Sequence, residues 1–288
     1  MKIPDNTLNS AANYFKDELN GLYGASELQQ MLDIVFAHYF NINKVEMITN
    51  NSKLLSESDL LKVIYTVKAL KKYKPLAYIL GEWEFYGLSL KLNEHTLIPR
   101  PETEELVQLI IEDNPDKKNI NILDIGTGSG CIALGIKKYM PDAQVYAWDV
   151  SQKALEVAIE NAGKNNLKIN FEEIDILKED LISPKKLHVI VSNPPYITQQ
   201  EKTLMHENVL NYEPHLALFV EGHDPLIFYS TIADFALKCL MKRGKLYFEI
   251  NENYGEEIKQ LLTGKGFSEI EVIKDMNGKD RIVKAILE

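Results

Sequence analysis

Four residues of this chain, Asn193-Pro194-Pro195-Tyr196, are better suited to holding a guest than to building a fold. They follow the apolar run Leu187-His188-Val189-Ile190-Val191, which reads as a short buried strand. Two prolines remove two backbone donors and cannot continue a central sheet, so the strand ends there. Pro195 also holds Pro194 in an extended conformation, which fixes the direction of the Pro194 carbonyl. That carbonyl and the Asn193 side-chain oxygen form two rigid acceptors beside the flat ring of Tyr196. Two such acceptors suit a planar NH2 group, which offers two donors. The competing reading is a stiff turn that closes a strand, and the four residues alone do not separate the two.

A second constellation is Asp124-Ile125-Gly126-Thr127-Gly128-Ser129-Gly130, directly after the predicted strand 120–125. Glycine at alternate positions lets the backbone turn tightly and lets a ligand approach without a Cβ in the way. The dinucleotide fingerprint wants Gly or Ala at position 131, where Cys131 stands. A nucleoside without a pyrophosphate fits better. Asp149 ends the second predicted strand about twenty residues on, where a carboxylate can take both ribose hydroxyls. Asp175 ends the third; it either reaches an adenine amino group, with Ile176 packed on the ring, or simply caps the strand.

These residues need elements to position them, and the chain supplies two kinds. Residues 1–80 read as a helical domain. Leu28, Met31, Leu32, Val35, Phe36 and Tyr39 recur at helical spacing behind a cap at Ser26. Ser56 opens another helix, with Leu60, Leu61, Ile64, Val67, Ala69 and Leu70 inward and Pro75 as its stop. No catalytic constellation lies here, so the domain either recognises a partner or only packs. Residues 81–99 are aromatic and glycine-bearing and read as a hairpin or linker at the domain junction. From residue 100 to 288, strands and helices alternate and end in a hairpin about Asn277-Gly278. The fold class is α/β: a doubly wound, mostly parallel sheet with an antiparallel carboxy-terminal hairpin, beside a small all-α domain. Ligands of such sheets bind at the carboxyl ends of strands, which is where both constellations lie. Between hairpin and sheet, Pro99-Arg100-Pro101-Glu102-Thr103-Glu104 starts a helix, with Pro101 at its first position and acids in its first turn. It is a lid over the pocket or merely a well-started helix.

Composition narrows the classes. The apolar fraction of 45% is ordinary for a globular protein, and no apolar run approaches the ~18 residues that span a bilayer. The opening residues 1–6 carry no apolar signal run. Cys131 and Cys239 fit no disulfide framework, and the six histidines show no ligand spacing, so no metal is expected. A cytoplasmic location and a monomer are the expectations. Residues 1–83 carry nine Lys and nine Asp/Glu, so the whole net charge of −10 lies in the remainder. That acidity argues against direct nucleic-acid binding. Of the three arginines, Arg100 is a substrate contact or a junction salt bridge, with nothing to choose between them.

With the glycine turn, Asp149 and Asn193–Tyr196 in this order, the chain resembles the class I S-adenosylmethionine-dependent methyltransferases that act on a planar NH2. It resembles most closely the release-factor glutamine N5-methyltransferases, through Pro75–Gly81, Phe85-Tyr86-Gly87, Ile98–Glu104 and Gly278-Lys279-Asp280-Arg281. Ile176 departs from the aromatic that many members carry. The resemblance implies S-adenosylmethionine as cofactor, held by Asp124, Gly126, Thr127, Gly128, Ser129, Gly130, Asp149, Asp175, Ile176 and Asn193. It implies catalysis at Asn193, Pro194 and Tyr196, and substrate contacts from these with Pro195 and Arg100. The implied substrate is the glutamine of the Gly-Gly-Gln motif of peptide chain release factors. The rivals are a ribosomal-protein glutamine methyltransferase, a nucleic-acid base amino-methyltransferase, a nicotinamide dehydrogenase and a non-enzymatic adaptor. The last three are disfavoured by the acidic charge, by Cys131 and by the intact site, in that order.

Overall fold

A computed structural model of the protein describes residues 3, 5–115, 118–178, 181, 185–198, 201–220, 222 and 224–288, with the backbone alone at 203 and 204. Residues 1, 2 and 4 of the amino-terminal stretch and His223 lie outside the described residues. The chain divides into two compact units: residues 1–81 with 207–212, and residues 82–206 with 213–288.

The first unit is helical. Thr7 caps α1 (Leu8–Leu19) by accepting from the Ser10 amide. Helix α2 (Ala25–Phe40) starts behind Gly24 rather than Ser26, because the turn at Gly21-Leu22 already delivers the chain in an extended conformation at Gly24. It ends at Asn41, whose left-handed φ of 52° asparagine tolerates. Asn43 and Glu46 form a reciprocal capping box on α3 (Lys44–Thr49). Ser56 caps α4 (Glu57–Leu70). The inward face of α4 is Val63, Thr66, Val67 and Leu70, spaced i, i+3, i+4, i+7; Leu61, expected inside, is exposed. The helix stops at Leu70, before Pro75, which instead opens α5 (Leu76–Leu80). Phe15, Leu32, Val35, Phe36 and Val67 form the core of this unit.

The second unit begins with a hairpin, β1 (Glu82–Phe85) and β2 (Leu88–Lys91), then α6 (Pro101–Glu112). The alternating part follows as β3 (Asn121–Ile125), α7 (Cys131–Tyr139), β4 (Gln144–Asp149), α8 (Gln152–Lys164), β5 (Asn170–Glu173) and β6 (Leu187–Ser192). The short helix α9 (Glu207–Tyr212) belongs to the helical unit, a return excursion that no sequence pattern marks. The chain resumes with α10 (His215–Leu218), α11 (Ile227–Cys239), β7 (Leu240–Glu249), α12 (Gly255–Gly264), β8 (Phe267–Lys274) and β9 (Asp280–Leu287).

Seven strands form one sheet in the order β5-β4-β3-β6-β7-β9-β8, parallel except for β9, which runs antiparallel to both neighbours. The order reverses at the β3/β6 boundary. Strands β3 and β6 are covered on both faces, which is why they read as continuous apolar runs. The hairpin, α6 and α7 pack on one face through Phe85, Leu90, Leu106, Val107 and Ile132. Helices α11 and α12 pack on the other through Tyr229, Ile232, Phe235 and Ile258. Edge strand β5 is only four residues long and mostly exposed, and β7, at ten residues, is the longest strand. Among the described residues no helix is long and apolar enough to cross a membrane.

Candidate active site

The sheet register sets the site. Ile125 is opposite Trp148 on one side and Ser192 on the other, so Gly126, Asp149 and Asn193 follow at the same level of three adjacent strands. They open into one cavity, lined also by Ser151, Asp175, Ile176, Pro194, Pro195 and a strap from His95 to Thr103 that leads into α6.

The loop from β3 to α7 lines its floor. Gly126, Gly128 and Gly130 all have positive φ, which side chains resist. At Gly130 an added Cβ would also sit 3.2 Å from Ala158 Cβ and Leu134 Cδ1, so this glycine serves packing. At Gly128 an added Cβ would meet nothing within 4 Å; this glycine faces open space. Ser129 lines the cavity, and its buried Oγ has no hydrogen-bond partner among the described residues.

Asp149 accepts from the Gly128 amide at 2.8 Å on Oδ2 and from the Ser151 amide at 2.9 Å on Oδ1. Burial raises its pKa, against the pull of these amides. The Val150 amide also pulls on this carboxylate, which with about four acceptor sites keeps capacity for a further donor. Asp175 accepts from the Leu177 amide at 3.0 Å, as a turn cap does, yet also lines the cavity beside buried Ile176.

Asn193 and Pro194 stand across from the glycine loop; a Cβ on Gly126 would lie 4.0 Å from the Asn193 carbonyl. Among the described residues, no hydrogen bond occupies Asn193 Oδ1 or the Pro194 carbonyl. Both residues line the cavity, and these two acceptors are uncommitted.

Three expected site residues do not line the cavity: Gly130, packed as described, Asp124 and Tyr196. Asp124 is fully buried beneath the loop and does not line the cavity. Its Oδ2 accepts from Thr127 Oγ1 at 2.6 Å and the Ala133 amide at 3.2 Å, so it ties the loop to the start of α7. Burial pushes its pKa up to about 7, opposed by those two donors. Tyr196 also leaves the lining. Its ring packs against the core under α11, because a bridge between Ile197 and Phe219 pins the following backbone and an apolar layer is at hand. Burial there raises its pKa, with Glu249 adding to the effect.

Arg100 lines the cavity and also pairs with Glu213, a buried carboxylate that accepts from the Ile98 amide at 3.2 Å. The ion pair thus exists, inside the second unit. Sequence reasoning missed Glu213 and the bond from Thr103 Oγ1 to buried Glu249, 2.7 Å long. Glu249 had a visible signal: it is a single carboxylate at the end of the apolar run Leu246-Tyr247-Phe248. Glu213 had none.

A family model described as the methyltransferase small domain matches residues 102–222. A release factor glutamine methyltransferase of Flavobacterium psychrophilum is 44% identical over 273 residues, covering 94% of this chain and 95% of that one. One of Bacteroides thetaiotaomicron is 39% identical, covering 96% and 99%. Among solved structures, the hMettl16 catalytic domain superposes with a TM-score of 0.59 at 16% identity, covering 93% of this chain and 94% of its own, a likeness of fold. The strand order, the glycine loop at the switch in that order and these relatives agree: the chain belongs to the family of release factor glutamine methyltransferases.

Proposed function

We propose that this protein transfers a methyl group from S-adenosylmethionine to the side-chain amide nitrogen, N5, of the glutamine in the Gly-Gly-Gln motif of peptide chain release factors. The observation that carries the reading is the pair of uncommitted oxygens, Asn193 Oδ1 and the Pro194 carbonyl, beside the glycine loop at the switch in strand order.

The residues fit the cofactor. The open space over Gly128 admits a main chain or sulfur without a Cβ in the way, and the orphan Ser129 Oγ lacks a partner that a bound polar group supplies. Asp149 would take the ribose hydroxyls, Asp175 the adenine amino group, and Ile176 the ring face. S-adenosylmethionine, when bound, supplies an electrophilic methyl on a sulfonium.

The rest falls to the protein. A carboxamide nitrogen is a poor nucleophile because its lone pair is delocalised into the carbonyl. Asn193 Oδ1 and the Pro194 carbonyl would each accept one N–H, which fixes the nitrogen and aims its remaining face at the methyl. The same acceptors favour the positive charge that arrives on nitrogen, a form of preorganised electrostatic stabilisation. Asparagine suits this better than an acid, since its own NH2 lets neighbours hold its orientation. The product nitrogen then releases a proton to water. Tyr196 supports the wall from behind rather than stacking on the amide. Substrate recognition by the helical unit, a monomeric state and a cytoplasmic location complete the reading.

Incubation with labelled S-adenosylmethionine, a release factor, a ribosomal-protein extract and DNA tests it. Label on the release factor alone supports it; label on ribosomal protein or DNA instead would overturn it.

A further inference from the structure

Glu249 and Thr103 form a pair without a role in the reading above. Ser192 is in register with Phe248, so the residues that follow, Asn193 and Glu249, stand side by side at the ends of β6 and β7. Glu249 is 2% exposed, and an ionised carboxylate so placed is costly unless it is paired. Its partner is Thr103, in the first turn of α6, which donates from Oγ1 to Glu249 Oε2 at 2.7 Å. Thr103 is buried too, and it lines the cavity. A hydroxyl has one proton and two lone pairs. With its proton directed at Glu249, the Thr103 oxygen can only accept from the cavity side.

We propose that Glu249 is a positioning residue that holds the Thr103 hydroxyl as a fixed hydrogen-bond acceptor for an N–H donor of the cavity's guest. The proposal rests on the methyltransferase reading, in which both guests carry such donors: the ammonium of the cofactor's amino-acid end and the N–H groups around the substrate glutamine. Simple anchoring of the strap does not need this carboxylate, because Glu213 already holds Ile98 and Arg100.

The charge of Glu249 decides which way the hydroxyl points. Its neighbours are Glu102 and Thr103 on α6, Arg100 before that helix, Cys131 on α7, Tyr196 after β6, Tyr229 on α11 and Arg281 on β9. Burial pushes its pKa up to about 7, with Thr103, Arg281 and Arg100 pulling the other way and Glu102 adding to the rise. Above that pH the carboxylate accepts from Thr103. Below it the acid carries its own proton, can donate to the Thr103 oxygen, and frees the hydroxyl to point its hydrogen at the cavity. The acceptor is therefore present above about pH 7 and lost below it.

The test is a double-mutant cycle of Thr103→Val and Glu249→Gln, both near-isosteric, with folding checked by thermal melts. S-adenosylhomocysteine affinity by calorimetry reads a cofactor donor; KM for a release factor reads a substrate donor. In one of these arms, each single change weakens binding about 10-fold at pH 8, and the double variant is no worse than Thr103→Val. In that arm the wild type weakens at pH 6, and Thr103→Val removes this response. The inference is overturned if the two effects multiply, if folded variants move neither arm, or if Thr103→Val keeps the wild-type pH response. Wild-type protein that neither binds S-adenosylhomocysteine nor labels a release factor overturns the underlying reading along with it; binding and labelling with a multiplicative cycle overturn this inference alone.

Discussion

The two sides of the cavity are built from contacts of very different reach. On the glycine-loop side, Thr127 bonds Asp124 three residues away, Ser151 bonds Asp149 two away, and Gly128 bonds Asp149 21 away. On the strap side, Ile98 reaches Glu213 across 115 residues and Thr103 reaches Glu249 across 146. The first side assembles from its own strand and the next one. The second exists only when the strap, β6, β7 and the segment after α9 have come together. The loop side is thus nearly self-contained, and the strap side is a tertiary construction laid over it; in the proposed reading the first cradles the nucleoside and the second closes over the reacting group.

If that division of labour is right, damage on the two sides should separate binding from transfer. The largest effect is expected at the wall. Asn193→Ala should lower the rate of methyl transfer about 10²–10³-fold, the loss typical of one preorganised group at a developing charge, while S-adenosylhomocysteine still binds. Turnover beside calorimetry checks it; substantial turnover in the variant would remove Asn193 from the chemistry. On the loop side Asp149→Ala should do the opposite, weakening cofactor affinity about 10–100-fold through the loss of hydrogen bonds to a charged acceptor. Unchanged affinity would place the ribose elsewhere.

Gly128→Ala sharpens the contrast within the loop. Its φ of 55° costs a Cβ about 1 kcal/mol, and the new methyl enters open space, so the protein should fold yet bind S-adenosylhomocysteine about 10-fold more weakly. Equal affinity would show that the guest does not pass over this position.

The smallest expected effect concerns the two buried carboxylates, one on each side. Burial holds both Asp124 and Glu249 near pKa 7, above their ordinary values of 3.8 and 4.5. Between those limits the folded protein binds more protons than the unfolded chain, so stability falls as pH rises. From pH 6 to pH 8 each should account for a loss on the order of 1 kcal/mol. Asp124→Asn and Glu249→Gln should each flatten the dependence of Tm on pH over that range. A slope unchanged in both variants would contradict the shifts.

The same contrast explains what is legible in the sequence. Local constraints leave local signatures. The glycines at 126, 128 and 130, the strand-end Asp149, the Pro194-Pro195 stop, the Ser56 cap and the final hairpin each announce themselves in residue type and spacing, and with them the doubly wound sheet. Sequence and fold part company where tertiary context decides. Asp124 reads as a ligand because it precedes the glycines, but strand alternation and burial turn it under the loop. Tyr196 reads as a pocket wall because it follows Pro195, but an apolar layer outside the motif claims its ring. Leu61 reads as inward because it is leucine, yet the i, i+3, i+4, i+7 set from Val63 to Leu70 wins the helix face. Glu213 and the α9 excursion are defined only by partners more than a hundred residues away, or by the unit they join, and nothing in their own neighbourhood announces it.

In the proposed reading, two fixed oxygens select a carboxamide and present its nitrogen to the methyl donor. The most direct measurement is a crystal structure with S-adenosylhomocysteine and a release factor, or its Gly-Gly-Gln loop, bound. The glutamine nitrogen should lie within about 2.7–3.2 Å of both Asn193 Oδ1 and the Pro194 carbonyl, with its free face toward the sulfur. A glutamine nitrogen bonded elsewhere, or those oxygens turned away from the sulfur, would contradict it.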